Sequence, residues 1–248
     1  MNFLVIGLGE KPELLDTKPG FLLIDDGPLA DQFLKAFPRA KVFDPAVHSF
    51  NPLKGIEYKG ARQFAETVYG SEGKDTLTVR NGKRSLTRLV LQTPRLDQVK
   101  RSLADEESLA MIDDLLLSPV LSRVLCQPTN FSFKAGRSIV AKIDRAELGE
   151  FDSFIIASLL VRQYGGQIII PDFGFYARPF HASLIRERRL MAGVHTLSEL
   201  EPRIRDMCLL MDKAGHRCTF EDADTLAKYA GIMPGTNAYG AFTQSAME

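Results

Sequence analysis

Gln167-Ile168-Ile169-Ile170-Pro171-Asp172 is the stretch that decides the fold. Three successive isoleucines leave no polar face, so a strand here is buried on both sides, as strands of parallel sheets are. Proline cannot donate to a sheet ladder, and an aspartate then stands where the chain leaves the strand. Upstream, Glu150 to Tyr164 has helical spacing, and Phe151, Phe154, Ile155, Leu159 and Val161 point to burial nearly all round. Gly165-Gly166 ends that helix. A buried helix feeding a buried strand is the pattern of an α/β sheet.

The alternation extends outward from there. Phe3–Ile6 and Phe21–Ile24 are short apolar runs closed by Gly or Asp. Between Pro28 and Phe37, residues Leu29, Phe33, Leu34 and Phe37 share one helical face, with Pro28 suited to the first turn. Lys41–Phe43 reads as a brief strand, and Phe131–Phe133 and Ser138–Ile143 as strands paired around a Lys134–Arg137 turn. Arg189–His195, Met207–Met211 and the stretch around His216 and Cys218 are further strands, with helices at Glu221–Tyr229 and Ala238–Met247. The strand ending at Asp172 belongs in the centre of a mainly parallel sheet, beside Phe21–Ile24 and Ser138–Ile143, with Phe3–Ile6 at an edge. The middle of the chain is helical instead: Tyr58–Tyr69, Ser85–Leu91, Leu96–Leu103 and Glu106–Val124, broken at Pro94 and Pro119. We read a single α/β domain over residues 1–248 with a helical insertion at about 55–130.

Composition removes whole classes of function. The 248 residues carry 31 Lys+Arg and 31 Asp+Glu, and 45% are hydrophobic, which excludes a disordered chain and non-specific coating of nucleic acid by sheer basicity. Apolar runs such as Phe154–Val161 are far shorter than the roughly 20 residues of a membrane span. The opening Met1–Lys11 lacks the basic region of a signal peptide. Cys126, Cys208 and Cys218 are odd in number and widely spaced, so reduced thiols in the cytoplasm are expected. The histidines, His48, His181, His195 and His216, lack metal-ligand spacing.

Several segments together resemble the HerA/FtsK branch of P-loop ATPases, which includes conjugation and viral genome-packaging ATPases. Ile168–Asp172 is similar to the Walker B strand of that group, and Leu184–Arg189 to its arginine-bearing helix. Gly193–Leu200 resembles the sensor strand with the helix after it, and Glu221–Gly231 a C-terminal helix. Val42-Phe43-Asp44-Pro45 and Phe50-Asn51-Pro52-Leu53 resemble the second strand and Asn-Pro turn. The resemblance implies a P-loop-like fold, ATP and Mg²⁺ as ligands, and DNA as a partner. It also implies a homo- or hetero-oligomeric assembly, cytoplasmic or virion-associated. It gives Asp172 the Mg²⁺-holding role, His195 the sensor position, and Arg186 and Arg189 the place of an arginine finger.

The departures from that pattern matter equally. A phosphate loop needs GxxxxGK[ST], in which backbone N–H groups wrap the phosphates, Lys neutralises charge and the hydroxyl binds Mg²⁺. No such string is present. After Phe21–Ile24 stand Asp25-Asp26-Gly27-Pro28, two carboxylates and a residue without an N–H. Phe173 replaces the general-base Glu, and His195 the sensor Gln. Gly7-Leu8-Gly9-Glu10-Lys11 is a second candidate phosphate loop, with Pro12 at its third fingerprint position. Three readings stay open: a subunit of a DNA-translocating or packaging machine with a degenerate site, a divergent active ATPase, and an α/β scaffold. Any nucleic-acid contact is expected at Arg80, Lys83, Arg84 and Arg88, the densest basic group, with Asn81-Gly82 as a turn before the helix.

Overall fold

The computed structural model describes residues 3–6, 18–25, 28–69, 76–93, 95–103, 106–176, 190–194, 209–211 and 217–218. Short runs of two to five residues, most of them apolar, become strands: β1 (Phe3–Ile6), β2 (Phe21–Asp25), β3 (Lys41–Phe43), β4 (Ile139–Lys142), β5 (Gln167–Ile170), β6 (Leu190–Val194), β7 (Leu209–Met211) and β8 (Arg217–Cys218). They form one sheet in the order β3-β4-β2-β5-β6-β1-β7-β8. The β2–β5, β5–β6, β6–β1 and β1–β7 pairs are parallel, and β7–β8 is antiparallel. Every residue of β2 and β5 is buried, the condition of strands covered on both faces. The fold is thus α/β with a mainly parallel, P-loop-like sheet.

Two placements differ from the sequence reading. The isoleucine strand β5 is central and pairs with β2, but its other neighbour is β6; β4 lies beyond β2. β1 is interior, with parallel partners on both sides, and not an edge. Apolar content alone does not distinguish interior positions in such a sheet, because every covered strand satisfies it.

The described residues fall into two compact units. One lies within Met1–Val42, Ala135–Ala141 and Tyr164–Glu248 and contains most of the sheet and α1 (Pro28–Ala36). Phe33 and Phe37 of and after this helix meet the Phe21 ring edge-on at 5.1 and 4.9 Å. Leu29, Ala30, Val140 and Ile169 complete the cluster that holds α1 on the sheet.

The other unit, within Phe43–Lys134 and Lys142–Gln163, is helical. It comprises α2 (Tyr58–Val68), α3 (Leu77–Gln92), α4 (Leu96–Ser102), α5 (Glu106–Leu117), α6 (Pro119–Cys126), α7 (Arg145–Leu148) and α8 (Glu150–Gln163). Pro119 sits in the first turn of α6 behind the Ser118 N-cap, so the break there is as expected. The break assigned to Pro94 and the helices at 221–229 and 238–247 lie outside the described residues. Phe131–Phe133 does not form a strand. Both phenylalanines pack against Phe43 at 5.2 and 5.1 Å, and the Phe131 N–H is taken by the Ser49 carbonyl, leaving no ladder for them. Phe151, expected inside, is 49% exposed, while Ile155–Val161 of the same helix are buried.

Candidate functional site

Ligands of open α/β sheets bind outside the carboxyl ends of strands, where successive connections run in opposite directions. Here β2 continues toward β3 on one side, and its parallel neighbour β5 continues toward β6 on the other. That reversal makes the carboxyl ends of β2 and β5 the switch point of the sheet, the place where ligands of such folds bind. The register pairs Leu23 with Ile169, so Asp25 closes β2 beside the point where Pro171-Asp172 leaves β5. The topology therefore brings two carboxylates from distant sequence to one edge of the sheet.

Their settings differ. Asp25 is buried, and its Oδ2 accepts the Ala30 N–H at 2.7 Å. Ala30 is the third residue of α1, so its N–H is one of the donors a helix leaves unsatisfied at its start. A phosphate held at this helix would need such donors; the protein places its own carboxylate there. Asp31 adds a second acid to the first turn, which the positive end of the helix dipole also favours. Pro28 supplies no N–H at the first position. This helix start therefore does not fit a triphosphate. Asp172 is half-buried in the turn after β5 and leads into α9 (Phe173–Tyr176), whose Phe173 and Tyr176 are buried. The aromatic run thus packs the unit. Among the described residues no three His, Cys, Asp or Glu side chains gather as metal ligands would.

The solved structure of VirB4 from Thermoanaerobacter pseudethanolicus is similar in fold, with a TM-score of 0.52 over 98% of this chain and 83% of that one. Identity is 12%, so the likeness is one of fold. No family model and no curated protein matches the sequence.

Gly7, Gly9, Lys11, Gly27, Arg186, Arg189 and His195 lie outside the described residues. The basic group is described, and it is better ordered along the chain than expected. Thr76 caps α3 by accepting the Val79 N–H at 3.2 Å, so Asn81-Gly82 lies inside the helix and forms no turn. Arg80, Arg84 and Arg88 are then successive exposed positions four residues apart on one face, with Lys83 half-buried to their side. α3 contains no acidic residue. Asp97 pairs with Arg95 at 3.0 Å and Asp113 with Lys100, and Arg80 has a contact of its own. A groove of about 550 Å³, lined by Leu77, Asn81, Ser85 and Arg88 among others, runs beside this face. What sequence reasoning missed is the inward turn of Asp25 onto Ala30; the Asp-x-Gly-Pro string ahead of an apolar helix was its one available sign. No helix among the described residues is long and apolar enough to cross a membrane.

Proposed function

We propose that this chain is a non-hydrolysing subunit of a nucleic-acid-translocating or packaging assembly. The carrying observation is the Asp25 carboxyl group on the Ala30 N–H, an acceptor of the protein's own on a donor that a phosphate held there would need. The VirB4-like fold and the segments resembling conjugation and packaging ATPases support the class of machine. The acid-free α3 face supports a role in contacting nucleic-acid backbone. Asp172 keeps the place of a Mg²⁺-holding acid, but phosphoryl transfer depends on positioning and charge stabilisation together, and the phosphate-side half is replaced.

Phosphate release by the purified chain, with and without DNA, tests this reading, together with thermal shift in Mg-ATP. We expect neither turnover nor a shift. Turnover near ~1 s⁻¹ or above, the range common to enzymes, would overturn it if Asp172→Ala abolished that activity.

A second reading keeps an active site on the other candidate loop. Gly7–Lys11 follows β1 in sequence, and β1 is interior with parallel strands on both sides. Hydrolysis that survives Asp25→Ala and is lost in Lys11→Ala would select this alternative.

A further inference from the structure

Each unit carries a charged surface of opposite sign. The first is a bowl of about 700 Å³ in the sheet-bearing unit, lined by Pro19, Phe37, Pro38, Arg39, Lys41 and Arg137 among others. It lies at the amino ends of β2, β3 and β4. Its walls are pinned. The Gly20 N–H donates to Ser138 Oγ at 3.0 Å, the Lys41 N–H to the Ser138 carbonyl at 2.9 Å, and the Tyr164 hydroxyl to the Arg137 carbonyl at 2.7 Å. Gly20 has φ +95°, and a Cβ on it would stand 3.3 Å from the Gly136 Cα, so the two loops meet only without a side chain there. Arg39, Lys41 and Arg137 are exposed, no acid lines the bowl, and none of the three forms an ion pair among the described residues. The carboxyl end of α1 offsets only about half a charge, which leaves three cations largely uncompensated.

The second surface is a knob on the helical unit. Leu117, at the end of α5, is 78% exposed, and Phe151, at the start of α8, is 49% exposed. The Ser118 hydroxyl donates to the Asp152 carboxylate, which holds these two chain positions together. Acids surround them: Asp114 one turn before Leu117, Glu150 beside Phe151, and Glu147 on α7, which packs against α8; all three are exposed. Arg145 is the single base of that stretch, is half-buried and has a contact of its own. Leu117 and Phe151 thus form one apolar centre rimmed by acids rather than two isolated exposed side chains, the form an interaction surface takes.

We propose that the knob of one copy of this chain seats in the bowl of a second copy. Leu117 and Phe151 meet the Phe37–Pro38 rim, and Asp114, Glu147 and Glu150 meet Arg39, Lys41 and Arg137. Opposite charge aligns the approach, and the apolar centre supplies the attraction that salt does not screen. The two surfaces differ, so the contact is head-to-tail and a pair of copies keeps one free surface of each kind. It holds whatever the state of the switch point at β2 and β5.

Sedimentation velocity of the full chain across concentration and salt is the test, with two charge-reversal pairs at exposed positions. Wild type should associate, and less so at high salt. Arg39→Glu with Arg137→Glu should weaken association by at least about tenfold, as should Asp114→Lys with Glu150→Lys. Each variant retains one intact surface, and the two reversed surfaces are themselves of opposite charge, so mixing the two should restore the association that neither shows alone. Thermal melts of each variant confirm that both remain folded. The proposal is overturned by a wild type that stays monomeric, by variants that associate like wild type, or by a mixture that forms no dimer. A bowl variant that associates normally but loses a DNA oligonucleotide also overturns it, because the bowl would then be a phosphate site.

Discussion

Asp25 decides more than any other single side chain here, because one carboxylate both caps α1 and fills its anion position. Asp25→Ala should lower the free energy of unfolding by about 1 kcal/mol, the usual worth of such a cap. Asp25→Asn should lose less, since its amide oxygen still accepts the Ala30 N–H; equal losses in urea titration would show that charge, not the hydrogen bond, holds the helix start. The second residue is Tyr164, fully buried, with its hydroxyl on the Arg137 carbonyl. Tyr164→Phe leaves that carbonyl short of a donor and should cost about 0.5–1.5 kcal/mol. Burial pushes the phenol up to about 12 from an ordinary 10.0. The fold therefore resists ionisation, so stability is intact below pH 10 and falls as pH rises from there toward 12. The Phe variant should lack this alkaline fall in a pH series of melts. Neither role was legible from residue type: the sequence placed two aspartates and a tyrosine near turns, and only the packing chose which one points inward.

At the scale of elements, α3 shows how a neighbour overrides local preference. Asn81-Gly82 has the composition of a turn, yet both residues are helical because the absent Cβ of Gly82 makes room for the Tyr69 ring, whose hydroxyl bonds Ser108. Gly82→Ala would normally favour a helix by about 0.5–1 kcal/mol. Here the new methyl collides with a ring end that cannot swing away, and we expect a net loss of about 1–3 kcal/mol by chemical denaturation, as overpacking costs. A gain would mean that Tyr69 moves freely. The same helix carries the exposed arginines. Replacing Arg84 and Arg88 by Ala should weaken DNA binding and flatten the log–log salt slope by about two phosphate contacts, each about 0.7–0.9. Titrations at several salt concentrations check this, and an unchanged slope would remove α3 from the interface. The strands were easier to read than this helix, because an unbroken apolar run has few other uses, whereas Phe131–Phe133 failed as a strand once its rings found Phe43.

Across the whole molecule, protection from solvent should follow the sheet. Amides of Phe21–Asp25 and Gln167–Ile170 lie in interior strands buried along their full length, so hydrogen exchange should be slowest there and fast in exposed turns such as Ala135–Arg137. Fast exchange of β5 would contradict its central place. The order of the strands belongs to this scale too. Alternating apolar runs and amphipathic helices were enough to establish an α/β fold, since each run must bury its surface against a neighbour, and missing residue types were enough to show that no standard phosphate loop is present. Which strand lies beside which was settled only by tertiary structure: β6 and not β4 beside β5, and β1 inside the sheet. Buried strands of similar composition are interchangeable by hydrophobicity, and they become distinct only through the connections and helices that cover them. Chain-distant Asp25 and Asp172 share an edge, and Leu117 and Phe151 share a surface, for the same reason. Sequence sets what each segment must bury, and the packing of all segments together sets what is left to face a ligand or a partner.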